Sequence, residues 1–209
     1  MTTRTRERGR PTPRMLRLYH RYADLLGEPA DVWVFDPSEL DDPPPTLTYK
    51  NVAVWPADDD CEVTTFLTLG MSDRLMPGTD YRTELHMGVR ANLDKRQRQA
   101  VAGFLANLTE YPFEYARGLD WWHVLANPGR IPEFPGCRHL IFHPRLTDAG
   151  FDTVGDPEGE VKLLAVVPIT PLERHLAVDH NKDALLDHWA EQGTDILSDR
   201  EDPPAAGGA

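Results

Sequence analysis

The sequence predicts an α+β fold, a single domain with a central mixed β-sheet flanked by helices. Three observations point there. Helix-period segments open and close the chain, several β-branched or alternating runs lie between them, and one late apolar run, Val161–Val167, is long enough to be a strand buried on both faces.

The elements follow in order. Pro13–Leu26 reads as a helix whose apolar stripe is Leu16, Tyr19, Ala23 and Leu26, stopped by Gly27. Val32–Phe35, Thr46–Trp55 and Val63–Gly70 read as strands. Asp41–Pro45 (DDPPP) is a rigid loop between two of them. Arg82–Val89 is a strand with Leu85, Met87 and Val89 on one face. Asp94 caps a helix to Leu108 with Val101, Phe104, Leu105 and Leu108 inward, and Pro112 ends or kinks it. A further helical piece is expected over Glu114–Leu125, then a strand at Arg138–Phe142. Asn181 caps a last helix, Asp183–Ala190. Residues 1–11 read as a flexible Arg-rich arm, 12–200 as the domain and 201–209 as a disordered Pro/Gly tail.

Composition narrows the function classes. Of 209 residues, 40% are hydrophobic and 27% charged, which suits a globular protein. The net charge of −12 is uneven: seven arginines and one acid lie in residues 1–21, leaving 15 basic and 33 acidic residues beyond. A body that acidic repels nucleic acid and anionic membranes and attracts basic partners, although solubility alone also accounts for it. No apolar run approaches a membrane span, and no apolar stretch follows the basic start as in a secretory signal. Two cysteines, Cys61 and Cys137, imply no disulfide framework and a reducing compartment, so a cytoplasmic location is expected.

A search for catalytic patterns finds none. The eight histidines show no HExxH or HxH spacing, and no CxxC pair, nucleophile elbow or phosphate loop is present, so no metal or cofactor is expected. Cys137 near a histidine leaves a hydrolase open, with neither base nor oxyanion site identified. Asp58, Asp59 and Asp60 form a solvated acidic loop and a candidate partner contact, since three consecutive side chains on a strand cannot converge on one ion. Adjacent Trp121 and Trp122 would diverge by about 100° on a helix, so one is a candidate interface anchor while the other is core; both being core stays equally open.

Three segments, in order, resemble the Suppressor of fused domain: TLGMSDRLMP (Thr68–Pro77), YRTELHMGV (Tyr81–Val89) and VKLLAVVPITPLERHLA (Val161–Ala177). The matching residues are Thr68, Gly70, Met71, Ser72, Arg82, Glu84, Leu85, Val167, Pro168, Ile169, Thr170 and Glu173. The last helix and the ending Asp195–Arg200 also look like that family's close. Most of these positions read as structural. Gly70 allows a turn, Ser72 suits one, and Arg82 and Glu84 share a strand face where a charge pair or cross-strand partner fits. Pro168 ends the buried strand, and Glu173 lies in the first turn of a helix.

The resemblance implies a non-enzymatic binding protein. Animal members look like cytoplasmic inhibitors that sequester a transcription factor through a short peptide. Single-domain bacterial members look like immunity proteins of polymorphic toxin systems. The expectation is therefore a toxin-neutralising protein that binds a basic toxin domain. A scaffold that adds a partner's short peptide to a sheet edge is the alternative. The sequence does not set the oligomeric state.

Overall fold

The computed structural model describes residues 11–35, 50–144 and 152–203. The loop read at Asp41–Pro45, the first residues of the strand read from Thr46, the arm to residue 10 and the tail from 204 lie outside them. The first element is a helix, α1 (Pro13–Leu26), with Thr12 accepting from the Met15 N–H and Gly27 leaving the helix at φ 80°. Its inward face differs from the predicted stripe. Met15, Leu18 and Tyr22 are buried, Tyr19 and Leu26 lie at the margin, and Leu16 is 47% exposed. The larger residues on the 15–18–22 face fill the space over the sheet. Arg14 beside them is drawn inward by Asp156, at 3.1 Å, and by Glu158.

Among the described residues eight strands form one sheet: β1 (Asp31–Phe35), β2 (Lys50–Trp55), β3 (Thr64–Leu69), β4 (Arg82–Val89), β5 (Val124–Ala126), β6 (His139–His143), β7 (Thr153–Val154) and β8 (Val161–Ile169). Their order is β1-β2-β3-β4-β8-β6-β5, with β7 beside the start of β8. Every pair is antiparallel except β4 with β8, so the sheet is mixed as predicted. A parallel pair needs a long crossover, and the chain from β4 to β8 supplies it by way of helix α2 (Lys95–Leu108), the short helix α3 (Tyr111–Glu114), β5, β6 and β7.

Side-chain alternation divides the sheet between two layers. On one face Val52, Val54, Phe66, Leu85, Met87, Val89, Leu140, Phe142, Leu164 and Val166 pack against Val101, Ala102, Leu105 and Leu108 of α2. The other face is shared. Ala53, Leu67, Leu69, Val161 and Leu163 meet α1. Ile141, Ala165, Val167 and Ile169 meet Leu185 and Trp189 of helix α5 (Lys182–Gln192). Each Val, Leu, Ile, Phe or Met among them contributes roughly 1.5–3 kcal/mol when fully buried, so these two faces carry most of the stabilisation. Asp94 caps α2 in a reciprocal box with Gln97, and Asn181 caps α5 by accepting from the Asp183 and Ala184 N–H groups.

Three further expectations are corrected. Glu114–Leu125 is not a helix: α3 ends at Glu114, Ala116 and Trp122 are left-handed (φ 48° and 68°), and Val124–Ala126 pairs with β6. The apolar spacing there serves a loop that wraps the sheet, which a helical period imitates over so short a stretch. Pro112 does not end α2; it sits in the first turn of α3, where a missing N–H costs nothing. Pro168 does not end the buried strand. β8 runs through it to Ile169, with Pro168 opposite Leu140. The β4 partner has stopped at Ala165, so the ring meets no ladder on that side, and the Pro168 carbonyl there accepts from Arg200 at 2.8 Å.

Candidate functional site

The motif residues assemble into two internal clasps. In the first, Glu84 of β4 is fully buried beneath the turn that follows β3. Its carboxylate accepts from the Thr68 hydroxyl (2.6 Å), the Gly70 N–H (2.9 Å), the Ser72 N–H (3.0 Å) and the Ser72 hydroxyl (2.7 Å). Gly70 reaches φ 124°, which lets the chain fold its N–H groups back onto the carboxylate. Met71 is buried in the core on the α2 face. Arg82 forms no charge pair with Glu84. Its guanidinium donates to the Ser72 carbonyl at 2.7 Å, where Arg14 also donates at 3.1 Å. Burial raises the Glu84 pKa, and the hydrogen bonds from Thr68, Ser72 and Gly70 pull it partly back.

The second clasp centres on Glu173 in helix α4 (Pro171–His175), where it forms a capping box with Thr170. The buried carboxylate also accepts from Trp189 Nε1 at 2.8 Å and from Arg200 at 2.7 and 2.8 Å. These contacts tie α4, α5 and the segment after α5 to the end of β8. Both clasps consume the hydrogen-bonding capacity of their acids. The motif residues Gly70, Ser72, Arg82, Glu84, Pro168 and Glu173 thus lie in these two clasps, and Met71 packs in the core beside the first.

The proposed contact residues are placed differently. Asp58 closes its own turn by accepting from the Asp60 and Cys61 N–H groups, at 2.9 and 2.8 Å. Asp59 and Asp60 are exposed, with Glu62 close by on the same loop. Trp121 and Trp122 lie in the loop before β5 and diverge to opposite faces of the sheet. Trp121 donates to the Leu163 carbonyl at 3.0 Å and lies 4.2 Å beneath the Lys162 ammonium. Trp122 packs edge-on to His143, ring centres 4.9 Å apart, and Lys182 covers it at 5.1 Å. Both are half-buried and engaged within the chain, so neither stands out as a free anchor.

Cys137 is not an activated nucleophile. Burial pushes its thiol up to about 11, and its sulfur faces the Arg200 carbonyl at 3.8 Å. Among the described residues no group of three or more His, Cys, Asp or Glu is placed to hold a metal ion, and no helix is long and apolar enough to cross a membrane.

The surface that sequence reading missed is the groove beside β5. This strand ends the sheet, and among the described residues no strand pairs with its outer side. The Phe142 N–H donates to the His123 carbonyl at 3.0 Å, so by the alternation of an antiparallel pair Val124 and Ala126 turn their backbone groups outward. Alongside lies a groove of about 560 Å³ lined by Phe104, Leu108, Tyr111, Tyr115, Leu125 and Ala126, together with Asn107, Glu114, Asn127, Pro128 and Arg130. Tyr111 and Tyr115 stack at 4.7 Å, and Tyr115 is 65% exposed. The available signal was EYPFEY at 110–115 with the Asn127-Pro128-Gly129 turn; the helix expected over Glu114–Leu125 hid it.

Comparisons with known proteins agree with this architecture. The sequence profile of the Suppressor of fused protein (SUFU) matches residues 47–200. A Sufu chain solved in the Sufu–Fu complex superposes with a TM-score of 0.61 at 16% identity, over 92% of this chain and 91% of that one. A Suppressor of fused homolog from Neisseria gonorrhoeae gives 0.63 at 17% identity, over 90% and 93%. Drosophila Suppressor of fused gives 0.58 at 16% identity over 88% of this chain, which spans 48% of the Drosophila chain. A search of curated protein sequences returns no match. The profile match spans most of the domain and contains both clasps, and on that ground the chain belongs to the Suppressor of fused protein family.

Proposed function

We propose that the chain is a non-enzymatic protein-binding module whose docking surface is the groove beside β5. The observation that carries this reading is the open edge of β5 running along an aromatic-lined groove. A partner strand added there pairs with the outward backbone groups and sets alternate side chains into the groove. The Sufu–Fu complex supports it, since a chain of this fold is found there bound to another protein. The unactivated Cys137 thiol lends no support to the hydrolase alternative.

Within this reading the partner is a basic toxin domain, and the chain acts in the cytoplasm as its immunity protein. The net charge of −12 and the exposed Asp59, Asp60 and Glu62 support it, because an acidic surface speeds encounter with a basic partner. The short-peptide scaffold reading uses the same groove and is favoured by the open β5 edge itself.

The test is co-expression with the product of an adjacent toxin gene. The expected result is a co-purifying complex and surviving cells, with both lost on Ala126→Pro, which removes an outward N–H. Cell death without a complex rules out that toxin as the partner. A complex indifferent to Ala126→Pro rules out docking on β5.

A further inference from the structure

A second hollow of about 310 Å³ shares Asn127 and Arg130 with the groove beside β5. Ile131, Phe134 and Cys137 form its buried floor, while Arg130 and Arg138 stand exposed at its walls. The loop that shapes it is held in an unusual course. Asn127, Gly129 and Glu133 are all left-handed, at φ 51°, 91° and 65°. His139 fixes the start of the loop by accepting from the Asn127 N–H at 3.3 Å. The acid of the loop is turned away, since Glu133 accepts from Gln97 of α2 at 2.9 Å.

The two guanidiniums are the notable feature. Arg14, Arg90, Arg98 and Arg200 are each paired with a carboxylate. Among the described residues, Arg130 and Arg138, like Arg96 and Arg117, have no side-chain hydrogen bond or ion pair, and Arg130 and Arg138 line one hollow together. His139, next in the chain, is held below its usual pKa first by burial and then by Arg174 and Arg138, with Asp202 acting against them. In a chain of net charge −12 the lining of this hollow holds two arginines and no acid, and Asp199 lies beside it on the Gly136 N–H.

We propose that the hollow receives an acidic side chain of the docked partner segment. The segment carries an Asp or Glu whose carboxylate is held by Arg130 and Arg138, next to an apolar residue that enters the groove at Tyr111 and Tyr115. Guanidinium–carboxylate bonds are strong and directional, so they set the register of a strand that backbone pairing alone leaves free to slip. Glu114, which also lines the groove, disfavours a second acid beside it. The proposal rests on the reading of this groove as the docking surface and is independent of the toxin assignment.

The test uses random heptapeptides displayed on phage and selected against the full chain. Enriched peptides are then synthesised and titrated by fluorescence anisotropy against three variants: the R130E/R138E double variant, Tyr115→Ala and Ala126→Pro. Arg130, Arg138 and Tyr115 are exposed, so those substitutions leave the fold intact. The expected result is an Asp or Glu beside an apolar residue in the enriched peptides. Affinity should fall by about tenfold or more in R130E/R138E, the worth of one charge-assisted hydrogen bond, and should also fall in Tyr115→Ala and Ala126→Pro. Peptides weakened by Tyr115→Ala and Ala126→Pro but indifferent to R130E/R138E overturn the acidic-residue proposal and leave the docking surface standing. Peptides indifferent to all three variants, or no enrichment, overturn both.

Discussion

Ser72 is bonded to Glu84 twice, through its backbone N–H at 3.0 Å and its hydroxyl at 2.7 Å, while its carbonyl receives Arg14 and Arg82. The turn after β3 is thereby gripped from both sides, a buried carboxylate holding the donors and two guanidiniums holding the acceptor. α1 joins the sheet through the same point, because Arg14 belongs to that helix.

Removing the carboxylate leaves the Gly70 and Ser72 N–H groups buried without acceptors. Glu84→Ala is therefore expected to cost about 3 kcal/mol or more. Glu84→Gln, which keeps the shape but points an amide N–H₂ at donors, should cost an intermediate amount. Urea denaturation of the two variants and the parent checks the order. A Glu84→Ala variant as stable as the parent contradicts the role given to this clasp.

Arg200 contributes through Glu173. Both side chains are shielded, and Arg200→Met strands a buried carboxylate, with an expected loss on the order of 3–5 kcal/mol. Replacing both partners, as in Glu173→Leu with Arg200→Met, should recover part of that loss, because no charge is then left unpaired. A thermal-denaturation double-mutant cycle measures the coupling. Strictly additive effects would show that the pair is not a unit.

His86 sets an acid dependence. It is buried with neither ring nitrogen hydrogen-bonded, and burial, aided by the charge of His143, lowers its pKa to about 3. The unfolded chain takes up this proton near pH 6.5 and the folded chain does not, so stability falls as pH drops from about 6.5 toward 3. At about 1.4 kcal/mol per unit the loss over that range is on the order of 5 kcal/mol. Glu84 acts with the opposite sign. Its raised pKa makes a contribution that is present in acid and lost as pH rises through its folded value. His86→Leu should flatten the acid decline in a series of urea titrations from pH 7 to pH 4. A parent and variant with the same pH slope would exclude His86 as its source.

The sequence reveals the helices and strands where period and caps agree. β4, α2 and α5 are such cases: Asp94 and Asn181 cap the two helices, and Leu85, Met87 and Val89 share a face of the strand. The inward side of α1 was not legible, because the pull of Asp156 on Arg14 comes from residues 142 positions away. β5 was not legible either: three residues in a strand leave no alternation to read, and β6, the partner that makes them a strand, lies later in the chain. The docking groove depends on that strand, and so it was hidden with it. The clasps were half legible. Ordered motifs marked Glu84 and Glu173 as structural, but only the fold shows Arg82 on the Ser72 carbonyl in place of an ion pair with Glu84.

Hydrogen–deuterium exchange of the chain alone and in complex with its protein partner tests the account most directly. New protection is expected over Tyr111–Tyr115 and Val124–Arg138, with little change in the Asp58–Glu62 loop. Protection confined to that acidic loop, or to the opposite edge at β1, would contradict docking on β5.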